Sequence, residues 1–152
     1  MIPHPKILFV LADGSRARFV RRSPQTGDFV TLREVDGGDR LREVRAWAQS
    51  HPPGRSFQSA SAARSAVGPE DPYRQVKADF MEQIADAARM LAAEDATVGM
   101  VLIATRRLLP VLRRDVGPHV RVLNELGKDL TKVPDHELRP WLAPLELVPQ
   151  DN

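Results

Sequence analysis

The six residues GKDLTK, Gly127 to Lys132, set two amines, a carboxylate and a hydroxyl between an apolar-leaning run, VRVLNEL, and the segment VPDHELRPWL. Lys128 and Lys132 can neutralise an anion, Thr131 can donate or accept a hydrogen bond, and Asp129 can hold neighbouring cations in place. That chemistry suits one wall of an anion-binding cleft. The same residues also suit a helix entrance, in which Asp129 and Thr131 bond nearby backbone amides while both lysines project into water. Two other stretches offer related groups: Asp13-Gly14 behind the run KILFVLA, and Thr105-Arg106-Arg107 behind VGMVLIA. Asp13 before Gly14 is equally an ordinary turn former, and Thr105 an ordinary helix cap.

Whether these three stretches meet depends on the elements that carry them. KILFVLAD (6–13) reads as a buried strand ending at an Asp-Gly turn, and SRARFVRRS (15–23) and FVTLREVD (29–36) continue it as a three-strand meander. From Gly37 to about residue 70 the pattern breaks. RLREVRAWAQ has room for a short helix, but HPPGRSFQSASAARSAVGP has no core-forming period and reads as part of a long loop, poorly ordered in the free protein. No acidic residue stands between Glu43 and Glu70, whereas Arg45, Arg55 and Arg64 do, so the loop suits an anionic surface.

Asp71 and Pro72 then form a helix start, followed by Tyr73, Val76, Phe80, Ile84, Ala87, Ala88 and Leu91 at helical spacing. VGMVLIA (98–104) predicts a strand, TRRLLPVLRRDV (105–116) a short helix with Pro110 in its first turn, and VRVLNELG (120–127) a last strand. A final helix is expected near Pro134. A meander followed by right-handed crossovers gives an α/β fold. Its mixed five-stranded sheet has order 3-2-1-4-5, strand 2 antiparallel, and three main helices cover it in a ribonuclease H-like arrangement of the whole chain, 1–152. In such sheets ligands bind beyond the carboxyl ends of the parallel strands, so Asp13, Thr105, Arg106, Lys128, Asp129, Thr131 and Lys132 should converge on one edge.

Composition removes several function classes. The 152 residues contain no cysteine, which excludes disulfides, thiol nucleophiles and cysteine zinc sites. The histidines, His4, His51, His119 and His136, lack close metal-ligand spacing, so neither a metal nor another cofactor is expected. A metal nuclease needs several converging carboxylates, and only Asp13 and Asp129 stand at suitable strand ends. No apolar run approaches the ~18 residues of a membrane span, and KILFVLAD lacks the length and cleavage site of a signal peptide, so a cytoplasmic location is expected. Net charge is +2, yet 18 of the 22 basic residues are arginine. The groups Arg16, Arg18, Arg21, Arg22 and Arg106, Arg107, Arg113, Arg114 read as solvated faces or as anion contacts. Trp47 and Trp141 read as packing residues at a loop and at the chain end.

VLADGSRARFV, PPGRSFQSASAARSAV and GKDLTK, in this order over nearly the whole chain, resemble the bacterial host-attachment family, proteins required for attachment to host cells. The resemblance implies kinship with the central domain of archaeal and eukaryotic class I peptide-release factors, which has a ribonuclease H-like fold and displays a Gly-Gly-Gln loop before a long helix. Here Gly54-Arg55-Ser56-Phe57-Gln58-Ser59 is similar to that loop, with Gln58 at the glutamine position and Ser56-Phe57 in place of two glycines. Side chains at 56 and 57 restrict the backbone that two glycines allow, which argues against ester hydrolysis by this loop. The resemblance implies a binding module for tRNA or ribosomal RNA, contacting it through Arg55, Gln58, Ser59 and Arg64 as well as the strand-end groups. A hydrolase of a phosphodiester or of aminoacyl- or peptidyl-tRNA, using Gln58, Asp13 or Asp129, is the alternative, and a protein-interaction factor in attachment is a third.

Overall fold

The computed structural model describes residues 5–50, 72–94, 96–118 and 120–146. Three strands come first: β1 (Ile7–Ala12), β2 (Arg16–Arg22) and β3 (Phe29–Asp36). Helices α1 (Gly38–Ser50) and α2 (Pro72–Glu94) follow, then β4 (Gly99–Ala104), α3 (Leu109–Val116) and β5 (Val122–Gly127). A 3-10 turn at Asp135–Glu137, the short helix α4 (Arg139–Leu142) and a second 3-10 turn at Ala143–Glu146 close the described chain. The sheet has the expected order, β3-β2-β1-β4-β5, with β1–β2 and β2–β3 antiparallel and β1–β4 and β4–β5 parallel.

Every residue of β1 and β4 is buried, because helices and turns cover both faces of the central strands. Side chains alternate along β1. Leu8, Val10 and Ala12 pack with Phe80, Ile84 and Ala88 of α2 and Leu112 of α3, while Ile7, Phe9 and Leu11 pack with Leu130, Leu138 and Leu142 on the other face. A chain that leaves β1 therefore sends Asp13 toward the second face and Gly14 toward the first.

The expected loop does not begin at Gly37: a thirteen-residue helix occupies 38–50, over the stretch that had room for a short one, and the described residues hold four α-helices rather than three. Asp36 accepts a hydrogen bond from the Gly38 amide at 2.8 Å, the Gly37 carbonyl receives the first helical bond from Leu41, and Leu41 is buried. With its mostly polar sequence this helix has a narrow apolar stripe, so hydrophobic periodicity barely marks it. The remainder of the expected loop, from residue 51 to 71, lies outside the described residues. The closing helix near Pro134 is a 3-10 turn and four α-helical residues.

Gly99 opens β4 under tight constraint. A methyl there would stand 2.6 Å from Leu123 Cγ and 2.9 Å from the Arg121 carbonyl oxygen. Gly99→Ala should thus destabilise the protein by about 1–3 kcal/mol, since the backbone just before β5 must yield along with the leucine. A chemical-denaturation midpoint equal to that of the parent would contradict this.

Candidate functional site

Beyond β1 the chain turns on Asp13. Its Oδ1 accepts hydrogen bonds from the amides of Ser15 and Arg16, both at 2.7 Å, and from the Ser15 hydroxyl at 3.3 Å. Its Oδ2 lies 3.0 Å from the Thr131 hydroxyl, which also lies 2.6 Å from Asp129 Oδ1. One hydroxyl proton thus serves two carboxylates, one at a time. Asp129 also accepts from the Thr131 amide at 2.9 Å, and among the described residues no lysine or arginine pairs with it. The expected ion pair at Asp129 is replaced by a local turn. Thr131 is buried and Asp129 is exposed. Burial works against ionisation of Asp13, but the Ser15 and Arg16 amides and the Thr131 and Ser15 hydroxyls outweigh it and hold the carboxyl below its usual range.

The group that fixes this loop is Arg18, which sequence reasoning placed on a solvated face. On β2 it points to the same side as Val20, into the layer of Leu130 and Leu138, and only 6% of it is exposed. One guanidinium nitrogen lies 3.2 Å from the Leu130 carbonyl, 3.2 Å from that of Thr131 and 2.5 Å from that of Val133. The other reaches Asp135 Oδ1 at 2.6 Å and the Thr31 hydroxyl at 3.1 Å. Asp135 in turn accepts from the Thr31 amide and hydroxyl at 3.0 and 2.6 Å. Burial opposes ionisation of Asp135 too, and the Thr31 and Arg18 contacts overcome it, so its carboxyl also titrates low. Arg22 is likewise not solvated: it pairs with Glu146 at 2.8 Å, both side chains being about nine-tenths buried, and lies over the Phe29 ring. The strand's alternation was the available signal, since Arg18 and Val20 share a face that must be inward if Phe29 is.

The other predicted residues divide between the two faces. Lys128 places its ammonium 4.6 Å from the centroid of Trp141, a ring left 39% exposed, and Arg106 lays its side chain across Gly127. Lys132 is exposed. Thr105 makes no hydroxyl cap; its carbonyl receives the Leu108 and Leu109 amides at 3.0 and 3.1 Å. Arg55, Gln58, Ser59 and Arg64 lie outside the described residues.

Across the edge from Thr131 lies a cleft of about 360 Å3 between the Asp13–Ser15 turn, the start of α1 and α2, lined by Arg42, Arg45 and Lys77 and, as the one acid among the described lining residues, Asp13; Arg42 pairs with Asp39. Through Gly14 and Lys77 it adjoins a cavity of about 200 Å3 formed by Met81, Thr105, Arg107 and Leu108. Lys128, Asp129, Thr131 and Lys132 line neither. Arg42, Arg45, Lys77 and Arg107 were thus missed as a set, because they come from three elements and only the packing of α1 and α2 against the edge gathers them. No group of three or more histidine, aspartate or glutamate side chains among the described residues could hold a metal ion.

Two measurements probe this construction. Arg18→Leu should cost about 3 kcal/mol, because the loop carbonyls and the partly buried Asp135 lose their donor; an unchanged unfolding midpoint would show that the loop holds itself. Asp13 and Asp135 have depressed folded values, so the unfolded chain binds more protons in acid. Their stabilisation is complete above the ordinary carboxylate pKa of about 4 and disappears as pH falls through the folded values. Asp135→Asn should therefore flatten the acid limb of the stability curve, and a limb as steep as the parent's would refute that assignment.

Against known proteins, a family model described as "Protein required for attachment to host cells" matches residues 8–142. No curated protein matches the chain. Among solved structures, the type II variant of the Ppx/GppA phosphatase from Aquifex aeolicus is similar over 80% of this chain at 12% identity and a TM-score of 0.41; the chain spans 35% of that protein. The residues matched by the family model run from β1 to the end of α4 and take in both the Arg18-anchored loop and the cleft, and the chain belongs to the host-attachment family, the proteins required for attachment to host cells.

Proposed function

We propose that this host-attachment protein is a binding module for an anionic polymer, tRNA or ribosomal RNA, which it holds across the carboxyl edge of the sheet. The observation that carries the reading is the lining of the cleft: Arg42, Arg45 and Lys77 stand there with Asp13, whose oxygens already accept from Ser15, Arg16 and Thr131, and Arg42 also pairs with Asp39 beside it. Arg107 extends the positive lining on one side. Such a surface attracts phosphates without reading sequence. The likeness of Gly54–Ser59 to the release-factor loop supports an RNA partner, with Arg55, Gln58, Ser59 and Arg64 as further contacts.

RNA as the partner implies work in the cytoplasm and an indirect part in attachment. No helix among the described residues is long and apolar enough to cross a membrane. A hydrolytic role for Asp13 or Asp129 is less well supported, because both carboxylates are committed to the turn around Thr131.

Binding of labelled bulk tRNA should weaken steeply as salt rises, with the logarithm of the association constant falling linearly in the logarithm of salt concentration. Lys77→Ala and Arg107→Ala should each lower that slope by about one and weaken different RNA sequences alike. Binding indifferent to salt would remove the proposal.

A further inference from the structure

We infer that the cleft takes a nucleoside phosphate, with the phosphate in its cationic half and the base in its apolar half. The inference rests on the anion-binding reading and gives its ligand a chemical form. The two cavities differ in character. The larger is lined by Arg42, Arg45 and Lys77, whereas the smaller adds the apolar Met81 and Leu108, beside Thr105, Lys77 and Arg107. An inorganic anion would leave Met81 and Leu108 of the second uncovered. A wholly apolar ligand would take charged side chains out of water at a cost. Recognition across both halves requires a molecule with an anion at one end and a largely apolar ring with a polar edge at the other, and at about 360 Å3 and 200 Å3 the halves suit a small ligand.

Gly14 stands at the junction and lines both cavities. A Cβ built on it meets no atom within 4 Å, so its bare backbone borders open space in which the middle of such a ligand, the sugar, can lie close to the chain. A side chain there would be tolerated by the fold and would obstruct the passage from one half to the other. A free mononucleotide and the terminal nucleotide of an RNA strand present this same chemistry.

Equilibrium dialysis with adenosine 5′-monophosphate, adenosine and inorganic phosphate at low salt tests the inference. The monophosphate should bind at least tenfold more tightly than phosphate or adenosine. Gly14→Val and Leu108→Asn should weaken it about tenfold while leaving phosphate binding within twofold, and Lys77→Gln should weaken both the monophosphate and phosphate. Circular dichroism checks that each variant is folded, and the three-ligand comparison on the parent protein stands without any variant. A short oligonucleotide that displaces the monophosphate and binds more tightly identifies a strand end as the natural ligand; a monophosphate that outcompetes the oligonucleotide identifies a free nucleotide. A monophosphate no tighter than phosphate, or unaffected by Gly14→Val, overturns the inference. If tRNA still binds with a steep salt dependence in that case, the polyanion reading survives without it.

Discussion

A single guanidinium organises one end of this molecule. Arg18 leaves the middle of β2, enters the layer of Leu130 and Leu138, and lies against three carbonyls of one loop together with a carboxylate and a hydroxyl. A segment that turns from β5 toward α4 without regular structure exposes backbone acceptors, and here several face the protein interior, where an unmet acceptor is costly. A planar cation with donors in a fixed fork answers several of them at once, which a lysine's single ammonium would do less well. Leu130 and Leu138 can then be fully buried on either side of it.

Fixing that loop fixes more than the loop. Thr131, whose carbonyl is held by Arg18, offers its hydroxyl to Asp13, and Asp13 shapes the turn between β1 and β2 through the Ser15 and Arg16 amides. The Ser15 carbonyl next receives the Gly37 amide at 2.7 Å, just before α1 begins. A continuous chain of hydrogen bonds thus runs from the GKDLTK loop, past the end of the central strand, to the helix that supplies Arg42 and Arg45. The cationic cleft stands on one side of this chain and the Arg18 layer on the other.

The sheet was legible in the sequence to its strand order, because six-to-eight-residue apolar runs separated by Asp-Gly and Pro-rich punctuation leave few topologies once crossovers must be right-handed. The site was legible in part. Asp13, Asp129 and Thr131 meet because their strands end at one edge, which topology alone predicts. The side of the sheet they occupy follows from the parity of residues along β1, a detail that separates Asp13 from Gly14 and the GKDLTK loop from the cleft. Arg18 and Arg22 were misread because arginine composition favours the surface, while α1 was underestimated because its contact with α2 rests on few apolar side chains such as Leu41.

These placements also explain why the same edge can be rigid on one face and charged on the other. Two carboxylates on the Thr131 side are neutralised locally, Asp135 by Arg18 and Glu146 by Arg22, so these two arginines of β2 are absorbed into structure and contribute little outward field. On the cleft side Asp13 is turned toward Thr131 and toward amides, Arg42 pairs with Asp39, and the cations of α1 and α2 border an open cavity. A positive potential is strongest where such charges line a concave, partly desolvated surface. The turn at Asp13-Gly14 is what makes this division possible, since its aspartate belongs to the rigid face and its glycine leaves room on the charged one.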